Sequence, residues 1–364
     1  MTMHKGSFGF TVAPASTPLN NRKISVLRLL GRLEFMLSSQ LRNMVYRDLS
    51  RSLMFKELNA LIGEDLVWCT KSPYSAVTTT TREGRYAPPM QQPRVYGLTN
   101  VGKSVLESLE VEPDQRTLDG LKARDPRGRP VSSLTLSHDL QASWFCSNVL
   151  EAARRSRYVK SVYIQMEYVS HADQRMDALI ILRLSRKRVE RDLNKYPLFD
   201  GSPMGADEYE LRFALEVDRD TEQLKTLVAK GETYRNLTAN NTYQRALGGL
   251  VMPVFLVPTS RRAAQIARGW RKIWPEGWGI ISTPFTADDR QLGVLWGTYL
   301  GLIDQKPCSL MTMLVQHPQT QHVELVEPMV RSEWIADLEE SGQMYTPAER
   351  KGKQNSETAA VCAE

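Results

Sequence analysis

The sequence predicts an α+β (α/β) fold in two parts: a small helical domain closed by a β-hairpin, then a larger mixed sheet flanked by helices. Three observations predict it. Apolar residues recur at helical spacing through Ile24, Leu27, Leu30 and Leu33, and again in RSLMFKELNALI, ahead of two short apolar strands. A polar stretch punctuated by Pro and Gly, residues 111–133, separates the halves. Beyond it, strand and helix segments follow in the order αβββαβαβ, and the late strands are apolar throughout, as in a mixed sheet covered by helices.

Residues 1–20 are polar and rich in Gly, Pro, Ser and Thr, and read as a flexible arm. The unit 21–110 then opens with a helix in NRKISVLRLLGRLEF. A second helix lies in SSQLRNMVY, with Ser38 or Ser39 as its N-cap, and a third runs from near Ser50 to about Gly63. DLVWCTK and RVYGLTN are a strand and its return, joined by a polar loop, and VGKSVLESL closes the unit as a helix. Three helices and a two-stranded hairpin make the winged-helix plan, in which the third helix enters the major groove and the hairpin touches the backbone. Candidate DNA contacts are Arg47, Arg51, Ser52, Lys56 and Asn59 on the helix side, with Arg82 and Arg85 on the wing. Winged helices also serve as dimerisation and docking modules. Charge favours DNA: residues 1–160 hold 23 Lys and Arg against 14 Asp and Glu, a balance of +9, whereas the rest sums to −3. The linker adds Arg124, Arg127 and Arg129 as further phosphate contacts.

Composition excludes several classes. No run of eighteen apolar residues exists to span a membrane, and the N-terminus lacks the apolar core of a signal peptide, so a cytoplasmic home is expected. Cys69, Cys146, Cys308 and Cys362 form no CxxC pair or zinc spacing. No GxxxxGK[ST] loop is present, which argues against an ATP-driven motor.

The chemistry-bearing residues fall in the unit 134–335. Asp177 opens the apolar strand MDALIILRL, and Glu216 and Asp218 lie two residues apart on LRFALEVD, hence on one face. Lys230 sits on the helix that follows. An aspartate delivered beside the Glu-x-Asp pair would complete a site for Mg2+ or Mn2+, since hard cations take carboxylate oxygens. The lysine would stabilise a developing phosphate anion. Asp177, Glu216 and Asp218 are therefore the candidate metal ligands, with Lys230 as the catalytic cation. His138 begins the first helix of this unit and Glu167 lies on the preceding strand; each is a further candidate. Tyr234, four residues beyond Lys230, offers a covalent alternative. QLGVLWGTYLGLI reads as a helix against the sheet, and residues 336–364 as a polar disordered tail.

The order helix, three strands, helix, strand resembles the core of the restriction-endonuclease-like superfamily, giving an N-terminal winged helix followed by a restriction-endonuclease-like mixed sheet flanked by helices. More closely, RVYGLTNVGKSVL, SHDLQASWF, MDALIIL, FALEVDRDTEQLKTLVAKGETYRN and MPVFLVPTSRRAAQIA look like successive blocks of the replication-relaxation family, with the MobC-type plasmid mobilisation relaxases sharing the arrangement. The resemblance implies a bacterial plasmid or mobile-element protein that nicks DNA at an origin of transfer or replication. It also implies an accessory mobilisation protein and a coupling ATPase as partners, and a role near the site for His138. The superfamily's Glu-x-Lys would put lysine at position 218, where this chain has Asp218; Lys230 or Lys225 would then supply the cation. A His-x-His metal cluster, the mark of the histidine-based relaxases, is absent. The alternatives are a non-catalytic DNA-binding factor on a decayed nuclease fold and a double-strand endonuclease.

Overall fold

The computed structural model describes residues 19–71, 94–109, 133–156, 158–169, 175–185, 187, 208–218, 223–239, 251–275, 279–282, 299–301, 307–308, 310, 313–316 and 323–326. The chain forms two compact units, Met1–Trp144 and Phe145–Glu364, and the fold is α+β. Arg82, Arg85, the linker arginines and the two chain ends lie outside the described residues.

In the first unit the order is α1 (Asn21–Leu33), β1 (Phe35–Leu37), α2 (Ser38–Val45), α3 (Arg51–Gly63), β2 (Val67–Lys71), β3 (Arg94–Leu98) and α4 (Asn100–Ser108). Each helix starts where a polar side chain answers an orphan N–H. Asn20 accepts from Lys23 N, Ser50 from Leu53 N and Thr99 from Gly102 N. At α2 the cap is Leu37 rather than either serine, and Gln40 reaches back to accept the Leu37 N–H. The cause is β1, which runs straight into α2 and carries the chain past the point where a serine would cap. β1 has three buried apolar residues and pairs antiparallel with β3, giving the sheet order β1-β3-β2. So short an apolar run cannot be told from a helix end by periodicity.

Gly97 is required on β3. A Cβ there would lie 2.4 Å from the ring of Trp68, its cross-strand partner. Trp68 packs with Phe35, Leu37 and Val95, and with Leu136 and Leu140 from the first half of α5 (Ser133–Arg155). Ser143 on that helix donates to the Phe35 carbonyl. The division between the units therefore falls inside α5, whereas the sequence reading placed it at residue 134.

The second unit continues with β4 (Val159–Val169), β5 (Arg175–Ser185), β6 (Glu208–Val217), α6 (Leu224–Ala239), β7 (Val251–Leu256), α7 (Ser260–Ile273), β8 (Ile280–Ser282), β9 (Tyr299–Gly301) and β10 (Pro307–Cys308). These strands form one seven-stranded mixed sheet in the order β10-β9-β8-β7-β6-β5-β4. β4, β5 and β6 pair antiparallel, and β6, β7 and β8 pair parallel through the crossover helices α6 and α7. β11 (Met313–Gln316) and β12 (Val323–Val326) form a separate hairpin. Within QLGVLWGTYLGLI, where a helix is expected, Tyr299–Gly301 form β9, paired antiparallel with β8, and the rest of the segment lies outside the described residues. Gly301 weakens a helix there, and pairing gives the backbone its partners.

α6 and α7 meet closely through two glycines. A Cβ at Gly269 would lie 2.4 Å from Val228 Cγ2, and one at Gly231 would lie 3.0 Å from the Trp270 ring. Trp270 also touches Tyr234, Phe255 and Trp274, and is fully buried. Val228 is β-branched and cannot swing away cheaply. Gly269→Ala is therefore expected to cost about 1–3 kcal/mol by overpacking, read from urea unfolding.

Candidate active site and nucleic-acid interface

Sheet register brings the carboxylates together. Ala178 pairs with Leu215, so the antiparallel register one residue on sets Asp177 opposite Glu216 on the same face. Asp177 Oδ2 accepts the Val217 N–H at 2.6 Å, which ties the start of β5 to the end of β6. Glu216 is 1% exposed, and Lys230 Nζ donates to its Oε2 at 2.6 Å from the second turn of α6. Gly231, next to Lys230, is where Trp270 seats α6 against α7. Lysine and glutamate thus meet because glycine packing fixes the helix that carries the lysine. Lys225 is exposed on α6.

Asp218 follows a different course. Its N–H continues the ladder to Leu256 O, and its carboxylate accepts from Arg262 Nε at 2.6 Å. Both partners of this ion pair are buried, with side chains 0% and 8% exposed. Arg262 lies in the first turn of α7, which is capped by Thr259. Sequence reasoning missed Arg262. No local signal links it to an aspartate forty-four positions away, since the pairing arises from the β6-β7-α7 connection.

Among the described residues no group of three or more His, Cys, Asp or Glu is placed to hold a metal ion. The donor chemistry still bears on the question. Asp177 and Glu216 offer hard oxygen donors side by side beside a lysine, which suits a divalent cation taking the rest of its ligands from water and substrate. Asp218, bound to a guanidinium, is committed elsewhere. Cys146 on α5 is fully buried, and burial together with the nearby Asp177 charge holds its thiol far above the ordinary range, neutral and unreactive. Tyr234 is 3% exposed and packed on Trp270. Glu167 takes the left-handed φ of 47° in β4, with Arg175 Nη2 4.0 Å from its carboxylate. His138 belongs to the first unit, where its Nδ1 lies 3.3 Å from Asp139 Oδ1.

The predicted helix contacts sit together on the first unit. Arg51, Ser52, Lys56 and Asn59 are exposed along one side of α3, and Arg47 is exposed just before it. The acidic residue of α3, Glu57, is turned inward, where Arg22 Nε donates to both its oxygens at 3.2 Å and Asn20 Nδ2 to one at 2.9 Å. The outer stripe is thereby left without an acid. Two further cations, missed from sequence, meet at the loop end of the hairpin strands: Lys71 pairs across strands with Arg94, whose guanidinium lies 5.8 Å from the Phe55 ring of α3.

The Arg22 hydrogen bonds, opposed by burial and helped by Asn20, hold the Glu57 carboxyl below its ordinary value. A depressed carboxylate contributes stability above its unfolded pKa, near 4.5, and loses it as pH falls through the folded value. Glu57→Gln should accordingly flatten the acid limb of a melting-temperature profile below pH 4.5 and leave its neutral slope unchanged.

No helix among the described residues is long and apolar enough to cross a membrane. No curated protein and no solved structure matches the chain. The replication-relaxation family matches residues 27–252, from α1 to the start of β7 and more than half of the chain. That match points to a role in replication or mobilisation, and so to involvement with DNA. The protein belongs to the replication-relaxation family.

Proposed function

We propose that this protein binds DNA through a winged-helix N-terminal unit and nicks one strand at an origin of transfer or replication. The observation that carries the nuclease reading is Lys230 on Glu216, directly beside Asp177, on one face of a mixed sheet. Asp177 and Glu216 would hold Mg2+ or Mn2+, which when bound polarises the scissile phosphate and lowers the pKa of water. Lys230, already in the site, adds positive charge where the phosphorane forms. Arg262 keeps Asp218 in place at the end of β6, so the carboxylate beside it stays aligned. The buried Tyr234 argues for hydrolysis over a tyrosyl link.

DNA binding is supported by the order α1-β1-α2-α3-β2-β3 and the acid-free stripe on α3. Lys56→Ala should weaken duplex binding evenly across sequences and reduce the salt slope by about one, as measured by fluorescence anisotropy over a salt series.

A non-catalytic DNA-binding factor is the second reading, favoured by the ion pairs that already engage Glu216 and Asp218. Supercoiled DNA carrying the origin of the encoding element separates the two. Open circles formed with Mg2+ or Mn2+, absent with EDTA and unchanged in mobility by protease, support hydrolytic nicking. Specific binding without open circles leaves the non-catalytic factor, and linear products would indicate a double-strand endonuclease.

A further inference from the structure

Charge is spread unevenly within the second half of the chain. Residues 161–364 hold 24 Lys and Arg against 27 Asp and Glu, yet residues 233–275 hold seven Lys and Arg and no Asp or Glu. Five of those seven are exposed on helices: Arg235 on α6, and Arg261, Arg268, Arg271 and Lys272 on α7.

Packing decides which side of α7 carries them. Ala263, Ile266, Ala267 and Trp270 are buried, so the helix turns its other side outward. There Arg261, Gln265, Arg268 and Lys272 follow one another at steps of four, three and four residues, in a single row. Arg268 Nε donates to the Ala264 carbonyl one turn back, at 3.3 Å. Arg235 Nη1 donates to the Ile273 carbonyl at 3.3 Å, which brings a cation of α6 to the last turn of α7. Two arginines also stand in the first turn, where the helix dipole opposes a cation and no acid is present. Asp218 answers Arg262, while Arg261 is exposed. Like charges three and four residues apart, as Arg268 is from Arg271 and Lys272, repel each other, and an anion laid along the row relieves that repulsion.

The row is about 16 Å long at about 1.5 Å per residue, and so spans roughly five phosphates of one DNA strand at about 3.4 Å each along the axis. Guanidinium forks take phosphate oxygens in pairs. The aromatic residue of α7, Trp270, is fully buried, so the helix offers bases no ring to stack on and suits the backbone of a closed duplex.

We propose that the exposed row of α7 grips the phosphate backbone of duplex DNA without regard to sequence, as a second contact separate from α3. The proposal rests on the involvement of this family with DNA and not on nicking. Because Arg262 ties the first turn of α7 to Asp218, two residues from Glu216, the grip begins near the carboxylate–lysine pair and holds flanking duplex on the second unit.

The full-length protein is tested on random-sequence duplex in EDTA, by anisotropy over a KCl series. Arg261→Gln, Arg268→Gln and Lys272→Gln combined should lower the slope of log affinity against log salt by about three, one per cation. Arg261→Lys with Arg268→Lys should keep the slope, since charge sets it. Acetylation of Lys272, read by mass spectrometry, should fall severalfold at saturating duplex, in wild type and in Lys56→Ala alike. A triple variant with the wild-type slope, or equal acetylation with and without duplex, overturns the grip. Protection by polyglutamate but not by duplex also overturns it and assigns the row to an acidic protein. If the triple variant melts early, the wild-type acetylation decides. Protection without nicking supports the grip and sinks only the nuclease reading.

Discussion

Asp177→Asn is expected to lower the nicking rate by about 10²–10³-fold while the protein stays folded and binds duplex DNA as before. Asparagine is the informative substitution because Asp177 has two roles. Its Oδ2 accepts the Val217 N–H, and an amide oxygen can still accept that bond. Its charge, set opposite Glu216, is what a divalent cation would need. Alanine would remove both and leave the strand N–H without its acceptor, at about 1–3 kcal/mol, confusing fold with chemistry. Lys230→Ala should show a loss of similar size in its folded fraction, together with a loss of stability, because it leaves the Glu216 carboxylate, 2% exposed, without the lysine. Rates come from open-circle formation on supercoiled origin DNA, and folding from thermal melts of the same samples. An Asp177→Asn protein that nicks at the wild-type rate would remove Asp177 from the chemistry.

The second large effect concerns stability. Arg262→Ala should destabilise the second unit by about 3–5 kcal/mol, because it leaves the Asp218 carboxylate buried without its guanidinium. Pairing it with Asp218→Asn should restore part of that loss, since the double variant buries no charge. Urea unfolding of the four proteins closes the cycle. A single-variant loss of under about 1 kcal/mol, the level of an exposed pair, would mean that water reaches Asp218 and that the pair does not anchor β6 to α7. Nicking in the surviving folded fraction should fall less than it does for Asp177→Asn, because the Asp218 carboxylate is engaged by Arg262 at the strand end.

These two expectations differ in how far the sequence foresaw them. Asp177, Glu216 and Lys230 were legible because each sits at a marked point in a regular pattern: an apolar strand's start, a strand's end, a following helix. The strand and helix order of the second unit was readable for the same reason, as was the start of α3 at Ser50. β1 was not, since its three apolar residues are too few to show a period of two. β9 was not, because an apolar run spaced by glycines fits a helix or a strand equally until a neighbour offers hydrogen bonds. Arg262 and Arg94 carried no sequence signal at all. Each matters through a partner that only the folded chain brings near.

By itself, the sequence determined the kinds of element, their order, and which residues can carry charge or metal, because periodicity and composition act along the chain. Only the tertiary structure decided how the charges are shared. Lysine went to Glu216, arginine to Asp218, and Glu57 turned inward to Arg22. The physical reason is that a buried charge must find an opposite charge or a hydrogen bond. Which one it finds depends on register and crossover, and these are settled by packing between segments far apart in sequence.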